Sequence, residues 1–356
     1  MVYETYYIIP ISKEDALQGF KYLQNCYPGD YKSEKVEETD TVFASSNNGN
    51  KASNYFFQIF RFRTPYRDKG TFEQWITTNS FEKLEQLALQ YSKKTSVSEL
   101  KPHDYTSVLN LRVGTLNQFK PRVAALLYHI YKPKTVLDFC AGWGDRCVAA
   151  MAKNVNYIGV DTNLELQPAY TQMVNEYQEK SKSKITMYFQ PAETLDFSTL
   201  KYDMVFTSPP YFDLEQYANM PKYEGYHDWI EKFLRPVILA SYQHLEDQGW
   251  MFLNIPSTED SRKLTKYDIL GQVQQILGEP PHKKIQMVLQ SRHQGKLFNC
   301  EYIYGWKKGS SSPLQQPTII QEPKSQPTNE VQSLLEQIEK LKAENQALKS
   351  LLKTYL

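Results

Sequence analysis

The sequence is poor in the features that mark secreted, metal-binding and membrane-spanning proteins. It has only four cysteines, and they share no metal-ligand spacing: Cys26, Cys140, Cys147 and Cys300. No apolar run reaches the roughly 18 residues that a transmembrane helix requires, and no signal-like segment opens the chain. We therefore expect a soluble intracellular protein, in the cytoplasm or in the nucleus of a eukaryotic host, without disulfides, metal or membrane contact.

An excess of charge of either sign is also missing. The 356 residues include 41 Lys and Arg and 40 Asp and Glu, which gives a formal net charge of +1. This balance neither requires nor excludes a nucleic-acid partner, because local clusters can still form a basic surface. Hydrophobic residues make up 41% of the chain and aromatic residues 13%, which is enough to fill the core of one large α/β domain with appendages.

The most informative stretch is a short apolar strand followed by a turn of small residues. Residues 135–137 are typical of a buried strand, and residues 147–152 of the beginning of a helix. Between them, Gly142 and Gly144 allow the backbone to approach a ligand, and the N–H groups of the helix start can donate to it. The spacing matches neither the G-x-G-x-x-G of dinucleotide binders nor a phosphate loop, which disfavours hydride transfer and nucleotide hydrolysis.

Two acidic residues follow the next predicted strands. Asp161 ends a strand about twenty residues beyond the glycine turn, where α/β nucleotide binders hydrogen-bond ribose hydroxyls. An acidic residue after a strand is also a common helix cap, so both interpretations remain open. Glu193 follows a further strand, predicted over residues 185–189.

A second motif, Ser208-Pro209-Pro210-Tyr211, ends the strand that we predict before it. Proline fixes φ and restricts the preceding residue, so two consecutive prolines stop the strand and hold Ser208 and the nearby carbonyls in set directions. A simple proline turn would explain the prolines but not the flanking serine and tyrosine. The motif suits a site that must hold one amine.

Together the two motifs resemble those of the amino-group DNA methyltransferases, over about residues 116–308. In that family an acidic strand end and a small-residue turn, here Asp138 to Gly144, precede a (Ser/Asn/Asp)-Pro-Pro-(Tyr/Phe/Trp) motif, here Ser208 to Tyr211. Phage and large-virus members carry similar turns with Ala-Gly-Trp-Gly. The resemblance implies an α/β fold with a Rossmann-like methyltransferase sheet, mostly parallel with an antiparallel C-terminal strand, and S-adenosylmethionine as the cofactor.

The resemblance also implies which residues bind the cofactor. Glu193 stands where the family contacts the adenine ring, and Phe119 and Pro121 where it holds the methionine end. A core helix with proline in its first turn explains Phe119 and Pro121 equally well. The full set of expected cofactor-binding residues is Phe119, Pro121, Asp138, Cys140, Ala141, Gly142, Gly144, Asp161 and Glu193.

The reaction implied by the family is methyl transfer to an exocyclic amino group, N4 of cytosine or N6 of adenine, in DNA. Ser208 and the Pro209 carbonyl, set by Pro210, would accept hydrogen bonds from the amine, and Tyr211, assisted by Phe212, would stack on the flipped base. Serine at the first position favours N4 of cytosine without deciding the base. The chain has no Pro-Cys dipeptide of the kind used by cytosine-C5 enzymes.

A basic turn and two alternative functions complete this picture. Arg292 and Lys296 lie in a turn that could bind DNA phosphates, although charged turns are usually only solvated. One alternative is a methyltransferase that acts on RNA or on protein glutamine. The other is a non-catalytic DNA-binding scaffold, against which the intact motifs argue.

Residues 1–110 are expected to form an α+β region that contacts DNA, ahead of the methyltransferase domain at 111–308. Within that region we predict a strand at 6–11, a helix at 13–25 and a helix at 71–91. Aromatic residues alternate with arginine at 55–63, which predicts a strand that either lines a nucleic-acid surface or is simply half-buried.

The C-terminal tail differs from everything before it. Residues 309–330 are rich in serine and proline, as in an unpacked linker. Residues 331–356 carry apolar residues at heptad positions a and d, with Asn345 at one a position, which favours a parallel homodimeric coiled coil. An amphipathic helix that docks on its own catalytic domain is the alternative.

Overall fold

A mixed β-sheet lies at the centre of the protein in the computed structural model, which describes residues 3–27, 41–44, 46–65, 69–114, 118–212, 220–256, 267–289 and 299–309. Its strands within these ranges are β1 (Thr41–Ala44), β2 (Thr135–Asp138), β3 (Asn156–Asp161), β4 (Ile185–Phe189), β5 (Met204–Thr207), β6 (Trp250–Asn254), β7 (Lys283–Leu289) and β8 (Asn299–Lys307). The sheet order is β1-β7-β8-β6-β5-β2-β3-β4.

Among these described strands, only β8 runs antiparallel to its neighbours, β6 and β7. The other neighbouring pairs are parallel. The predicted α/β class, with a mostly parallel sheet and an antiparallel C-terminal strand, is confirmed. The first strand, β1, was not predicted, and it pairs with β7 at the sheet edge.

Helices cover both faces of the sheet. In the described ranges they are α1 (Glu4–Tyr7), α2 (Lys13–Asn25), α3 (Asn50–Arg63), α4 (Phe72–Asn79), α5 (Phe81–Ser92), α6 (Pro102–Arg112), α7 (Pro121–Tyr131), α8 (Asp145–Ala152), α9 (Gln167–Tyr177), α10 (Tyr226–Trp229), α11 (Arg235–Gln243) and α12 (Ile269–Leu277). None of them has both the length and the apolar character needed to cross a membrane.

Alternate strand residues face the two helical layers, as the two-residue period of a strand requires. Val136 and Phe206 pack against the layer formed by α2, α3, α7, α8 and α9. Leu137 and Val205 pack against the other layer, which contains α11 and α12. A third, smaller cluster joins α1, α4, α5 and α6.

The strand predicted at residues 55–63 is wrong, because this segment belongs to helix α3. Phe57 lies one helical turn after Ser53, and both side chains are buried. They share a helix face that packs on the residues following β2. The β-propensity of aromatic residues largely reflects side-chain packing, and here a helical face gives these rings better contacts.

Two further predictions in the first hundred residues need correction. The segment 6–11 is not a strand, since Tyr7 ends the short helix α1 and its ring packs edge-on against Phe62 and Phe72. The single helix predicted at 71–91 is two helices, α4 and α5, separated at Ser80. Ser80 has a φ of 76°, and its hydroxyl accepts a hydrogen bond from the N–H of Lys83 at the start of α5.

The predicted helix 13–25 is confirmed as α2. Ser12 and Asp15 form a capping box, in which each side chain accepts from the other residue's backbone N–H. Pro121 occupies the first turn of α7, as its lack of an N–H allows. The predicted coiled coil, the linker beyond Gly309 and the turn with Arg292 and Lys296 lie outside the described residues.

Candidate active site

The glycine turn between β2 and α8 depends on two left-handed residues. Gly142 has a φ of 60° and Gly144 a φ of 73°, which glycine adopts without steric cost. A Cβ at Gly144 would lie 2.6 Å from the ring of Phe57, so helix α3 packs directly over the turn. Among the described residues, a Cβ at Gly142 would meet only the carbonyl oxygen of Cys140 within 4 Å, at 3.9 Å. The turn is therefore tightly packed at Gly144 and open at Gly142.

The carboxylate of Asp138, at the end of β2, is hydrogen-bonded within the protein core. It accepts hydrogen bonds from Arg146 Nε at 2.7 Å and from the hydroxyl of Tyr157 at 2.6 Å. Asp138 and Arg146 are both almost fully buried. In such a place a hydrogen-bonded ion pair costs much less free energy than one unpaired charge. Burial lowers the pKa of Arg146, but the charge and hydrogen bonds of Asp138 outweigh it and leave that pKa raised. Asp138 thus contacts the protein on all sides and does not line the cavity described below.

Asp161 connects the end of β3 to the glycine turn. Its two carboxylate oxygens accept hydrogen bonds from the N–H of Gly142 at 2.7 Å and from the N–H of Asn163 at 2.9 Å. Burial raises the pKa of Asp161 to about 6, although the two N–H donors act in the opposite direction. The two N–H groups therefore fix the orientation of the carboxylate, and its pKa lies close to neutral pH.

One cavity extends from the glycine turn to the Ser-Pro-Pro motif. Of the residues expected in the site, those that line it are Cys140, Gly142, Asp161, Glu193, Ser208 and Pro210. The sheet explains this arrangement, because β2 pairs with both β3 and β5 and all three are parallel. Their carboxyl ends consequently meet at one edge, where open α/β sheets bind ligands.

The remaining described candidates lie outside the lining of this cavity. Tyr211 is 9% exposed, and its hydroxyl donates to the carbonyl oxygen of Asn254 at 3.4 Å. The ring of Phe212 packs with Tyr226 and Trp229. The others are Ala141 and Gly144 within the glycine turn, Pro209 in the proline motif, and Phe119 and Pro121 before the first turn of α7 or within it.

Phe119 contacts Arg146, the ionic partner of Asp138. Its ring centroid is 5.6 Å from that of Phe206 and 5.1 Å from the guanidinium carbon of Arg146. A cation over an aromatic face is attracted by the ring quadrupole. Phe119 therefore supports the arginine that pairs with Asp138, and Pro121 is buried at the start of α7.

The structure adds wall residues that sequence reasoning missed. They include Thr64, Phe139, Trp143, Asn163, Tyr223 and Phe233. Tyr223 donates from its hydroxyl to the carboxylate of Glu193 at 3.5 Å, and burial together with Glu193 raises the pKa of Tyr223. Thr64 directly follows α3 and belongs to neither motif, so its sequence position did not indicate that it reaches the cavity. Trp143 stood inside the glycine motif and could have been included on position alone.

Ser208 lies at the end of β5 beside the end of β6. Its hydroxyl donates to the main-chain carbonyl of Asn254 at 3.2 Å, and the side-chain amide of Asn254 is 3.4 Å from the same Oγ atom. Cys140, on the cavity wall, has a pKa raised well above its usual value, mainly by burial, so its thiol stays protonated. In the described ranges no three His, Cys, Asp and Glu side chains are grouped to hold a metal ion.

No family model and no curated protein matches the chain. Among solved structures, the magnesium protoporphyrin IX methyltransferase ChlM from Synechocystis PCC 6803, with bound SAM, is 13% identical over 52% of this chain and 76% of its own, at a TM-score of 0.35. The N-methyltransferase NodS from Bradyrhizobium japonicum WM9 is 12% identical over 49% and 86%, at 0.32. The T. thermophilus 16S rRNA methyltransferase RsmC is 13% identical over 54% and 44%, at 0.33.

Proposed function

We propose that this protein transfers a methyl group from S-adenosylmethionine to an exocyclic amino group of a base in DNA, N4 of cytosine or N6 of adenine. The observation that supports this most directly is the shared cavity, whose wall contains Gly142 of the glycine turn together with Ser208 and Pro210. A methyl donor and an acceptor amine must meet within bonding reach, and a single cavity between the two motifs allows this.

The residues of the turn fit the proposed cofactor. Gly142 has no side chain, and no described residue crowds the position of a Cβ there, so the ligand can approach the backbone. The Asp161 carboxylate is held by two N–H groups and remains on the cavity wall, where it can accept hydrogen bonds from ribose hydroxyls. Glu193 offers a second carboxylate on the same wall. When bound, the cofactor supplies an electrophilic methyl group on a positively charged sulfur.

The residues of the second motif act on the amine. The lone pair of an exocyclic amino group is delocalised into the base, so the site must hold both N–H groups and direct the nitrogen toward the methyl group. Ser208 Oγ, on the cavity wall, is the acceptor for one N–H group. Pro209 lies outside that wall, and with Pro210 it restricts the backbone that carries Ser208. Catalysis then consists mainly of orientation, with no covalent enzyme intermediate.

Methyl transfer with labelled cofactor tests the proposal. The protein is incubated with duplex DNA, RNA or a protein extract, and the DNA is digested to nucleosides that are identified by mass spectrometry. We expect N4-methylcytosine or N6-methyladenine. Label found only in RNA or in protein would contradict DNA as the substrate, and cofactor binding without label in any acceptor would favour a non-catalytic scaffold.

The variant Ser208→Ala tests the role assigned to the second motif. It removes one amine acceptor while leaving the glycine turn and Asp161 in place. We expect the wild-type affinity for the cofactor by calorimetry and a loss of methyl transfer of about a hundredfold, within the range for a positioned hydrogen-bonding group in a transition state. Unchanged turnover in Ser208→Ala would contradict the assigned role of the motif.

A further inference from the structure

A serine hydroxyl does not by itself define a hydrogen-bond acceptor. It carries one donor hydrogen and two acceptor lone pairs, and it rotates to suit its neighbours. An Asp carboxylate in the same position would only accept. For Ser208 to hold an amine, some other group must take the hydroxyl hydrogen and keep a lone pair directed to the cavity.

Asn254 supplies both groups that this requires. Asn254 ends β6, which pairs in parallel with β5. Thr207 lies opposite Leu253 in this pairing, so Ser208 and Asn254, the next residues along the two strands, come together. The main-chain carbonyl of Asn254 accepts the Ser208 hydrogen at 3.2 Å, and the side-chain Nδ2 of Asn254 faces Ser208 Oγ at 3.4 Å. One lone pair of Oγ then faces the amide, and the other is left for the ligand.

The burial of Asn254 is unfavourable for packing alone. The residue is 4% exposed, and its neighbours along the chain, Leu253 and Ile255, are fully buried apolar residues. Within the described part of the chain, Oδ1 of Asn254 has no hydrogen-bond partner. A buried polar atom without a partner is unfavourable, so an apolar side chain would serve the core better.

We infer that Asn254 is a positioning residue, which fixes the Ser208 hydroxyl as an acceptor for the target amine. The inference rests on the proposed function and deepens it. Asn254 is not part of the cavity wall, so it acts through Ser208 and does not touch the substrate. The carbonyl of Asn254 also accepts from the hydroxyl of Tyr211 at 3.4 Å, which links the first and last residues of the motif to one atom.

The kinetic test places Asn254→Leu in two backgrounds. In the wild-type background we expect kcat to fall about tenfold with an unchanged KM for the cofactor, which is the size of one oriented hydrogen bond. In a Ser208→Ala background there is no hydroxyl left to position, so the same substitution should change the residual kcat less than twofold. Equal losses in both backgrounds would show a general structural effect and overturn the inference.

A spectroscopic test does not depend on turnover. The side-chain amide signal of Asn254, identified by its absence in Asn254→Leu, should shift in Ser208→Ala because the Nδ2 to Oγ contact is lost. An unshifted signal would overturn the inference by itself. A wild-type protein that methylates no amine would instead contradict the proposed function, so the two failures can be told apart.

Discussion

Lowering the pH should weaken cofactor binding through a single carboxyl group, that of Asp161. Burial raises its pKa to about 6 in the free protein, and hydroxyl groups of a ribose would donate more strongly to the ionised form than to the neutral acid. Tight binding therefore requires the Asp161 carboxyl group to lose its proton. Because the cofactor favours the ionised form, bound cofactor should lower the pKa of Asp161. Affinity then rises with pH and levels off above the pKa.

The expected size follows from the ionised fraction. With a pKa of about 6, the carboxyl group is about 97% ionised at pH 7.5 and about 24% ionised at pH 5.5. Kd should therefore rise by at most about fourfold between these pH values. Isothermal titration calorimetry with S-adenosylmethionine at several pH values between 5 and 8 measures the change directly.

Asp161→Asn is the control, because it keeps one oxygen acceptor and removes the titration, while its amide nitrogen leaves one of the two N–H groups, of Gly142 or of Asn163, without an acceptor. Its Kd at pH 7.5 should be about tenfold higher than that of the wild type, since a charged acceptor is lost. Between pH 7.5 and 5.5 its Kd should stay nearly constant. A fourfold change that persists in Asp161→Asn would assign the pH dependence to another group, and a flat wild-type profile would refute the role of the carboxylate.

Three further predictions concern the turn, a buried acid and the tail. Gly144→Ala should lower the free energy of unfolding by about 2 kcal/mol in urea denaturation, because it adds a Cβ at positive φ against Phe57. Gly142→Asp should lower the free energy of unfolding less but abolish cofactor binding in calorimetry. Burial raises the pKa of Asp145 to about 6, so the folded state resists ionisation and loses stability as pH rises from its unfolded pKa toward 6; Asp145→Asn should accordingly stabilise the protein by about 1 kcal/mol more at pH 8 than at pH 5. The full chain should sediment as a dimer and the chain cut after Lys308 as a monomer, and equal dimerisation of both would contradict the coiled coil.

The parts of the fold that follow a local rule could be predicted from the sequence. The strand ending at Asp161 and the stop imposed by Pro209 and Pro210 depend on period, burial and fixed φ, all of which are visible in a few neighbouring residues. Parallel pairing then places their carboxyl ends together. This is why the sequence predicts residues from two separate motifs that do line one cavity, Gly142 and Ser208 among them.

The parts that depend on distant contacts could not be predicted. Aromatic residues at 55–63 favour a strand locally, but Phe57 lies on Gly144 only because the helix packs across the turn. The family pattern indicates an acidic residue at 138 near the cofactor, yet the position of Arg146, eight residues later, turns its carboxylate into the core. Neither partner can be identified from spacing alone, since both contacts are set by tertiary packing.

Helix α3 contacts several of the residues that surround the proposed cofactor site. Asp145, the first residue of α8, accepts hydrogen bonds from the hydroxyl of Ser53 on α3 and from Gln118 Nε2 at 2.7 Å. Phe57, one helical turn beyond Ser53, covers Gly144, and Thr64 at the end of the same helix reaches the cavity wall. Because one helix contacts the start of α8, the glycine turn and the cavity, a change on its buried face would alter the backbone at Gly142 without touching any ligand. Helix α3 is thereby part of the structure that shapes the proposed cofactor site.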